Sequence, residues 1–308
     1  MHGILATTAR HGRLVLIAGL VAGIAMPGLA LSMRPWIGAM VAGLLFLAAL
    51  RVGPRQAMGA LGQVGASIGL AAAFQVAMPV AAIVLFAMLG WTGAALATFF
   101  VLMLAAPPVS GSPNLTIMTG NDAAPALRQL VVGTALVPLT VLPVFWLTPS
   151  FGEPSAVFAA AGGLMVLIVV SAGIAFLIRS TILRNPSTKA LQSIDGLSAI
   201  AMAVVVVGLM SAVGPALQKT PLVFAGTLAL VCAVNFAIQI AMATIARQSG
   251  HEERAAATGI TAGNRNVALF LTVLPDQVID PILLFIGCYQ IPMYLTPAVL
   301  GRFYRSRR

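Results

Sequence analysis

Long apolar stretches separated by short polar segments are the main pattern along this chain. A membrane-spanning helix needs about 20 apolar residues, and an open strand is excluded from lipid because its backbone groups would lack hydrogen-bond partners. The pattern therefore predicts an all-α polytopic membrane protein with ten transmembrane helices. The ten stretches cover residues 14–31, 35–50, 57–89, 92–119, 125–147, 156–182, 190–213, 221–246, 254–275 and 277–301.

Composition strengthens this interpretation and excludes an ordinary soluble domain. Of 308 residues, 60% are hydrophobic and only 8% are charged, whereas soluble domains carry about 25% charged residues. The net charge is +10, which membrane topology explains, so no nucleic-acid partner is expected. With ten spans, most basic residues lie on one side of the membrane, which the positive-inside rule makes cytoplasmic. They are Arg10, Arg13, Arg51, Arg55, Arg128, Arg179, Arg184, Lys189, Arg247, Arg254, Arg302, Arg305, Arg307 and Arg308, against Arg34 and Lys219 on the other side.

This distribution predicts cytoplasmic N- and C-termini in a bacterial inner membrane. The N-terminus leaves one alternative open, because Arg10 and Arg13 before an apolar stretch also fit a secretory signal peptide. Gly19 and Gly23 in that stretch have the GxxxG spacing that suits close helix packing. The charge distribution favours a retained first helix.

Cysteine and histidine provide little material for catalysis or for a metal. Cys232 and Cys288 lie singly inside apolar stretches, and His2, His11 and His251 lie near the ends of predicted segments. Neither a metal-ligand spacing nor a catalytic triad can be built from them. We expect no metal site, no organic cofactor and no enzyme activity.

Two of the stretches are interrupted near their middle by helix-breaking and polar residues. The fourth contains Pro107, Pro108 and Pro113 between two apolar halves, and proline removes an N–H and clashes with the preceding turn. The ninth contains the sequence TAGNRN over residues 261–266. Irregular backbone at membrane depth is tolerated only where protein buries it or where it lines a watery cavity. Both stretches are therefore predicted to be discontinuous helices.

The interruptions occupy corresponding positions, each in the fourth of five helices. Such a correspondence indicates a secondary transporter built from internal repeats. Because five is odd, the second half enters the membrane in the opposite sense, which predicts inverted repeats over 1–150 and 151–308 within one integral membrane unit. An alternative treats residues 107–116 as a loop between two short spans, which gives eleven helices and places the termini on opposite sides.

Arg265 is the one cation that membrane orientation does not explain. A charged side chain at the bilayer centre costs about 2.5 to 3.5 kcal/mol on insertion scales, and a guanidinium suits carboxylate, sulfonate or phosphate. Half-helix N-termini at the breaks would add positive dipole ends. We expect a midplane site for a small organic anion; alternatively, the arginine only satisfies carbonyl groups freed by the break. The expected substrate-binding residues are Ser110, Ser112, Asn114, Asn235, Asn264, Arg265 and Asn266.

Other polar residues inside the predicted spans have less specific roles. Gln75 is a further candidate for the cavity, whereas Gln239 and Gln290 fit contacts between helices. Asp195, near the start of the seventh stretch, is the one carboxylate considered for proton coupling.

Three short segments carry a resemblance to a transporter family. They are QVAMP over 75–79, PVSGSPN over 108–114 followed by Gly120 and Asn121, and GNRN over 263–266. With these segments the chain resembles the bile acid:sodium symporter family of the bile/arsenite/riboflavin transporter superfamily. Over essentially the whole chain, the resemblance implies ten helices, discontinuous helices four and nine that cross, and a core domain beside a panel domain.

The resemblance also implies where this chain departs from the family. There, sodium is held by hydroxyl, amide and backbone oxygens at the crossing, with a carboxylate and a glutamine on helix nine. The matching positions here are Thr261 and Arg265, and helix five lacks a clear pair of hydroxyls where the family has them, with Thr134 as the nearest candidate. A fixed cation repels Na⁺, so we expect at least one sodium site to be lost to the guanidinium. The residues left for a coupling cation are Gln75, Asn114, Thr261 and Asn266.

These observations predict a secondary transporter that moves a small organic anion by alternating access, with the lipid bilayer around it and no obligatory protein partner. Sodium-coupled symport of bile-acid-like or keto-acid-like anions is one alternative. A membrane substrate sensor without transport is an alternative from another class. An intramembrane enzyme would need a base or metal beside Ser110 and Ser112, and the arsenite-exporting branch needs a cysteine that the crossing lacks.

Overall fold

Within the residues that the structure describes, seven helices are long and apolar enough to cross a membrane. The computed structural model describes residues 5, 7–9, 11–60, 64–148, 151 and 153–305, and within these it contains only helices, turns and one isolated backbone bridge. The predicted all-α, multi-pass membrane architecture is confirmed at this level. His2, Arg10, Arg307 and Arg308 lie outside the described residues. The seven helices are Pro27–Gly59, Gly65–Met88, Ala124–Trp146, Pro154–Thr181, Thr188–Lys219, Pro221–Gln248 and Asp276–Val299.

Between residue 12 and residue 148, the described part of the first half contains eight α-helical segments. A 3₁₀ turn, Arg34–Trp36, joins the second to the third, and a π-helical turn, Ala73–Ala77, joins the fourth to the fifth. The segments are α1 (Gly12–Ala25), α2 (Pro27–Met33), α3 (Ile37–Ala60), α4 (Val64–Ala72), α5 (Met78–Met88), α6 (Ala95–Ala105), α7 (Ser112–Met118) and α8 (Ala124–Trp146).

The second half contains eight more, with 3₁₀ turns at Met210–Ala212, Val267–Thr272 and Asp280–Ile282. Two of its helices, like α2, start on a proline, a residue suited to the first helical position because the N–H there has no helical partner. The segments are α9 (Pro154–Thr181), α10 (Thr188–Leu209), α11 (Val213–Lys219), α12 (Pro221–Gln248), α13 (Glu252–Gly263), α14 (Asp276–Ile279), α15 (Leu283–Val299) and α16 (Gly301–Tyr304).

Two boundaries differ from those that the sequence predicts. The first break lies at Met26, before Pro27, and residues 32–35 are helical because Pro35 falls in the first turn of the 3₁₀ segment. The predicted loop at 51–55 is a kink inside α3, where Gly53 adopts φ 73°. Glycine adopts positive φ without the steric cost that a side chain brings, so the helical conformation is interrupted at Gly53, where ψ is 162°, and resumes after it.

The helices pack in two groups. In one, α1 lies along α10, and α3 packs against both α9 and α10. A Cβ on Gly19 would lie 2.7 Å from the Ala203 carbonyl oxygen, and one on Gly23 would lie 2.7 Å from Cβ of Met210. The GxxxG prediction of close helix packing is therefore confirmed.

The second group contains the two interrupted helices. Here α12 packs against α13 and α15, α4 against α8, and α5 against α6. The largest buried apolar cluster joins both groups, from Val41 of α3 and Leu209 of α10 to Phe99 of α6 and Ile286 of α15. Apolar residues also cover the perimeter, where Leu222 is 87% exposed, as a surface in contact with lipid requires.

Candidate functional site

The two interrupted helices meet at their breaks. Pro108, between α6 and α7, and Arg265, after α13, form an antiparallel backbone bridge. Next to the bridge, the backbone N–H of Val109 donates to the carbonyl oxygen of Asn264 at 2.9 Å. Arg265 is 1% exposed and Asn264 is fully buried. The breaks are therefore buried in protein, as expected of irregular backbone at membrane depth.

Local sequence explains why both chains are extended where they meet. Ala106, which ends α6, has φ −66° and ψ 150°, because the residue before a proline is driven away from the helical region. Asn264, which ends α13, has φ −101° and ψ 95°. Two short extended segments can exchange backbone hydrogen bonds, and the N–H of Asn266 accordingly donates to the carbonyl oxygen of Pro107 at 2.8 Å.

The Arg265 side chain closes the ends of both interrupted helices. Its Nε donates to the carbonyl oxygen of Ala262 at 2.9 Å, and its Nη1 donates to that of Ala106 at 3.0 Å. Carbonyl groups in the last turn of a helix have no helical partner and carry the negative end of the helix dipole. The guanidinium thus satisfies two such groups and lies against two negative helix ends.

No carboxylate of the described residues forms an ion pair with Arg265. The guanidinium carbon lies 5.1 Å from the centroid of the Phe74 ring, in cation–π contact. Its Nη2 is buried and has no hydrogen-bond partner within the described part of the chain. Two nitrogens of the buried guanidinium therefore bind helix ends and its face contacts an aromatic ring, whereas Nη2 remains without a hydrogen-bond acceptor within the described residues.

Tyr289 of α15 holds the break from the other side. Its hydroxyl accepts from the backbone N–H of Arg265 at 2.9 Å and donates to the carbonyl oxygen of Gly263. Nothing in the sequence marks this residue, because a tyrosine in an apolar helix is indistinguishable from a packing residue. Its role follows only from the position of α15 beside the break.

A cavity of about 40 Å³ lies between the breaks and the helix group of α3 and α10. This is room for a few water molecules in its present shape. Arg265 lines it together with Ser110, Asn266 and Gln290, and the remaining wall is apolar, from Val41 and Leu44 of α3, Met202, Val205, Val206 and Leu209 of α10, and Val109, Val267, Ala268, Met293 and Tyr294.

Three of the seven expected substrate-binding residues line this cavity, namely Ser110, Arg265 and Asn266. Ser112 is fully buried nearby, and its hydroxyl has no partner within the described residues. Asn114 points to the exposed side of α7 and is absent from the cavity wall.

Asn235 and Asn264, also expected in the substrate site, instead form a buried amide network behind it. Asn235 donates to the carbonyl oxygen of Gly263 at 2.7 Å and accepts from Gln239 at 2.6 Å. Asn264 donates to the hydroxyl of Thr296 at 3.2 Å. The network joins α12, α13 and α15, and the contact role expected for Gln239 agrees with it.

Tyr304 of α16 ends this network by donating to Oε1 of Gln239 at 3.1 Å. Burial raises the pKa of the Tyr304 phenol far above its usual range, and nearby Arg247 lowers it by less. The phenol therefore stays protonated and remains a donor at physiological pH.

The four residues expected to hold a residual cation do not share one cavity. Gln75 donates to the carbonyl oxygen of Gly133 at 3.1 Å and accepts from Thr140 at 2.8 Å. Thr261 lines a different cleft, Asn266 lines the cavity, and Asn114 is exposed. In this conformation their oxygen atoms therefore form no single cage for a cation.

Asp195, considered for proton coupling, lies outside the cavity. Its carboxylate accepts from Nε of Arg51 at 2.6 Å, and both side chains are partly exposed. This ion pair joins α3 to α10. Within the described residues, no three His, Cys, Asp or Glu side chains come together as a metal site would need.

No protein-family model matches this chain, and none of the curated proteins matches it. The resemblance to the bile acid:sodium symporter family therefore rests on the three short segments and on the order and spacing of the predicted spans. Two of them, PVSGSPN and GNRN, are the two segments that meet at the Arg265 bridge.

Proposed function

We propose that this protein is a secondary transporter that moves a small organic anion across the membrane by alternating access. The Arg265 guanidinium would pair with the anionic group of the substrate, and Ser110 and Asn266 would orient it. The apolar wall from α3 and α10 would contact the rest of the molecule. The bilayer and the anion would be its partners.

This proposal rests on one observation: Arg265 has a nitrogen without a hydrogen-bond partner among the described residues, and the side chain lines a cavity that also contains Ser110 and Asn266. Two of its nitrogens hold helix ends, but Nη2 has no partner within the described chain. An arginine that acted only as a structural clamp would be expected to use all its nitrogens, because a buried charged donor without a partner is costly. A carboxylate or similar oxyanion would complete its hydrogen bonds.

The arrangement of helices supports the transporter architecture that the resemblance implies. Each half contains one interrupted helix, α6 with α7 in the first and α13 with its 3₁₀ turn in the second, and we propose that the two correspond. The helix group of α1, α3, α9 and α10 combines two helices of the first half with two of the second. We propose ten membrane crossings in two inverted repeats, with both termini in the cytoplasm. The group of α1, α3, α9 and α10 would form the panel domain, and the remaining helices would form the core domain.

Sodium coupling is disfavoured by what occupies the crossing. Free carbonyl oxygens at helix ends are the groups that discontinuous transporter helices offer to Na⁺, and here two of them accept hydrogen bonds from Arg265. A guanidinium at this place repels a second cation. We propose that it acts as a fixed substitute for one coupling ion.

Transport is preferred over catalysis for a chemical reason. The described residues that line the cavity include Ser110 but no His, Asp, Glu or Lys that would act as its general base. The alternative is a sensor that binds an anion without moving it, and the uptake experiment below distinguishes the sensor from a transporter.

Uptake of labelled small carboxylates into liposomes that contain the purified protein tests the proposal. Arg265→Gln is expected to abolish uptake, whereas Arg302→Gln, at an exposed residue of α16, removes the same charge and should retain it. Binding that depends on Arg265 without any uptake would identify a sensor. Uptake by the Arg265→Gln protein at the normal rate would contradict the role of the guanidinium.

A sodium gradient tests the coupling. We expect the uptake rate to be the same with Na⁺ or K⁺ outside the liposomes. A rate that rises several-fold with an inward Na⁺ gradient would support symport instead.

A further inference from the structure

A second cleft, separate from the Arg265 cavity, lies where α4, α8 and α13 come together. It has a volume of about 30 Å³. Arg128 and Arg254 are half-buried in its wall, whereas Gln129 and Thr261 are buried. The cleft therefore has a basic outer part and a neutral, polar inner part.

Gln129 is the residue that this fold leaves unexplained. It is 3% exposed, and neither its Nε2 nor its Oε1 has a hydrogen-bond partner within the described residues. Buried side-chain amides are normally hydrogen-bonded, and an exception calls for an explanation. Because Gln129 lines the cleft, a ligand oxygen bound there would accept a hydrogen bond from its Nε2.

The charges around the cleft select an oxyanion as that ligand. Its described wall contains two arginines and no carboxylate. Glu253 pairs with Nε of Arg254 at 3.3 Å, but its side chain is 66% exposed and lies outside the wall. Helices α8 and α13 both begin at this end, but Asp122 accepts from the backbone N–H of Ala124 at the start of α8, and Glu252 and Glu253 lie in the first turn of α13. The two arginines of the wall therefore supply the positive charge of the cleft.

The cleft lies close to the Arg265 centre along all three chain segments. Leu70, Gln129 and Thr261 line the cleft, and four residues further along each chain are Phe74, Gly133 and Arg265. The Phe74 ring contacts the guanidinium, and a Cβ on Gly133 would lie 3.0 Å from Cδ of Pro108. The cleft and the Arg265 cavity share no lining residue.

We propose that this cleft is a binding site for an oxyanion, a carboxylate or phosphate group, held by Arg128, Arg254 and the Gln129 amide, with the hydroxyls of Ser67 and Thr258 beside it. The group belongs either to a free small anion or to the headgroup of an anionic lipid. The site does not depend on transport, and its test does not require Arg265 to bind a substrate.

The test measures the thermal midpoint of the purified protein in phosphatidylcholine nanodiscs as inorganic phosphate replaces chloride at constant ionic strength. A ligand that binds the folded state raises the midpoint in a saturable way. We expect the apparent affinity for phosphate to fall about tenfold in Arg254→Gln, and likewise in Arg128→Gln, because each removes a charge-assisted hydrogen bond. The charge-matched Arg302→Gln protein should respond as the unaltered protein does.

Gln129→Leu distinguishes a glutamine that binds the anion from one that only packs in the fold. We expect it to lose the response to phosphate while keeping or raising the midpoint in chloride, since it removes two unpartnered buried polar atoms. A lowered midpoint in chloride together with an unchanged response to phosphate would overturn the proposal.

Two further measurements, with the Arg265→Gln protein and with nanodiscs that contain phosphatidylglycerol, locate the site and identify the source of the anion. If Arg265→Gln abolishes the response while the arginine variants of the cleft retain it, phosphate binds at the central cavity and the proposal fails. If nanodiscs with phosphatidylglycerol remove the response and raise the midpoint by themselves, in a way that needs Arg254, a lipid headgroup fills the cleft. If the response is the same in both lipids, the ligand is a free anion. No effect of either phosphate or phosphatidylglycerol would overturn the proposal.

Discussion

Arg265 and Ala106 are 159 residues apart in the chain, and a hydrogen bond of 3.0 Å joins Nη1 of the first to the carbonyl oxygen of the second. Because Ala106 ends α6 and Arg265 follows α13, this bond fixes the place where the two broken helices meet. The backbone bridge of Pro108 and Arg265 lies beside it. The same residue thus holds the architecture and presents a charge to the cavity.

Replacing Arg265 by Lys is expected to destabilise the fold although the charge is kept. One ammonium group lacks the planar fork that reaches Ala262 and Ala106 together, and each lost hydrogen bond from a charged donor is worth about 1.5 to 3 kcal/mol. The free energy of unfolding in detergent, measured with denaturant, should fall by about that amount. Arg302→Lys provides the exposed control, and equal losses in the two variants would contradict the clamp.

Tyr289→Phe should destabilise the same region without changing charge. The substitution removes the acceptor of the Arg265 N–H and the donor to Gly263, and we expect a loss of about 1 to 3 kcal/mol for each buried group left unpaired. Tyr294→Phe, at a half-buried tyrosine of the same helix, is the matched control. Faster amide exchange at residues 263–266 in Tyr289→Phe alone would confirm the local effect, and equal exchange in both variants would refute it.

Gly263→Ala is expected to disrupt the end of α13. The added Cβ would lie 2.8 Å from the carbonyl oxygen of Asn235 and would collide with the Gln239 side chain, so the amide network would have to separate. Overpacking of this kind costs about 1 to 3 kcal/mol.

Gly226→Ala on α12 serves as the control for that substitution, because its Cβ would meet nothing within 4 Å. Alanine favours an exposed helix interior over glycine by about 0.5 to 1 kcal/mol. The two variants should therefore shift the thermal midpoint in opposite directions, and a lowered midpoint in both would remove the steric explanation.

The ion pair of Arg34 and Asp280 should contribute little to stability. It joins the turn between α2 and α3 to the turn between α14 and α15, and the two side chains are 31% and 53% exposed. Exposed pairs are worth about 0 to 1 kcal/mol and weaken with salt. Asp280→Asn should lower the thermal midpoint slightly in low salt and not at all in high salt. A large, salt-independent loss would show that the pair carries more of the fold than its exposure suggests.

Local chemistry was sufficient to locate the two breaks. Three prolines in the fourth apolar stretch and the polar run around Arg265 disrupt helices whatever surrounds them, and the structure interrupts both helices there. The boundary near Ser32 was wrong for the same local reason, because a turn signal at Pro35 is also compatible with the first turn of a new helix.

The residues that surround Arg265 could not be found in this way. Asn264 and Asn266 are two positions apart, yet Asn264 faces the amide network of α12 and α15 while Asn266 lines the cavity. Their directions depend on the backbone angles at the break and on the helices packed against it. Asn114 was expected beside them and lies on the exposed side of α7.

The sequence by itself determined that this is a helical membrane protein with two interrupted helices and a buried arginine, because those features follow from hydropathy, proline and charge at single positions. Only the tertiary structure decided that the two breaks meet, that Ala262, Ala106 and Phe74 hold the guanidinium, and that Tyr289 supports it. These partners come from distant segments, and lipid provides no hydrophobic force that would specify helix pairs from composition. Close packing and the pairing of backbone groups freed at the breaks select the contacts.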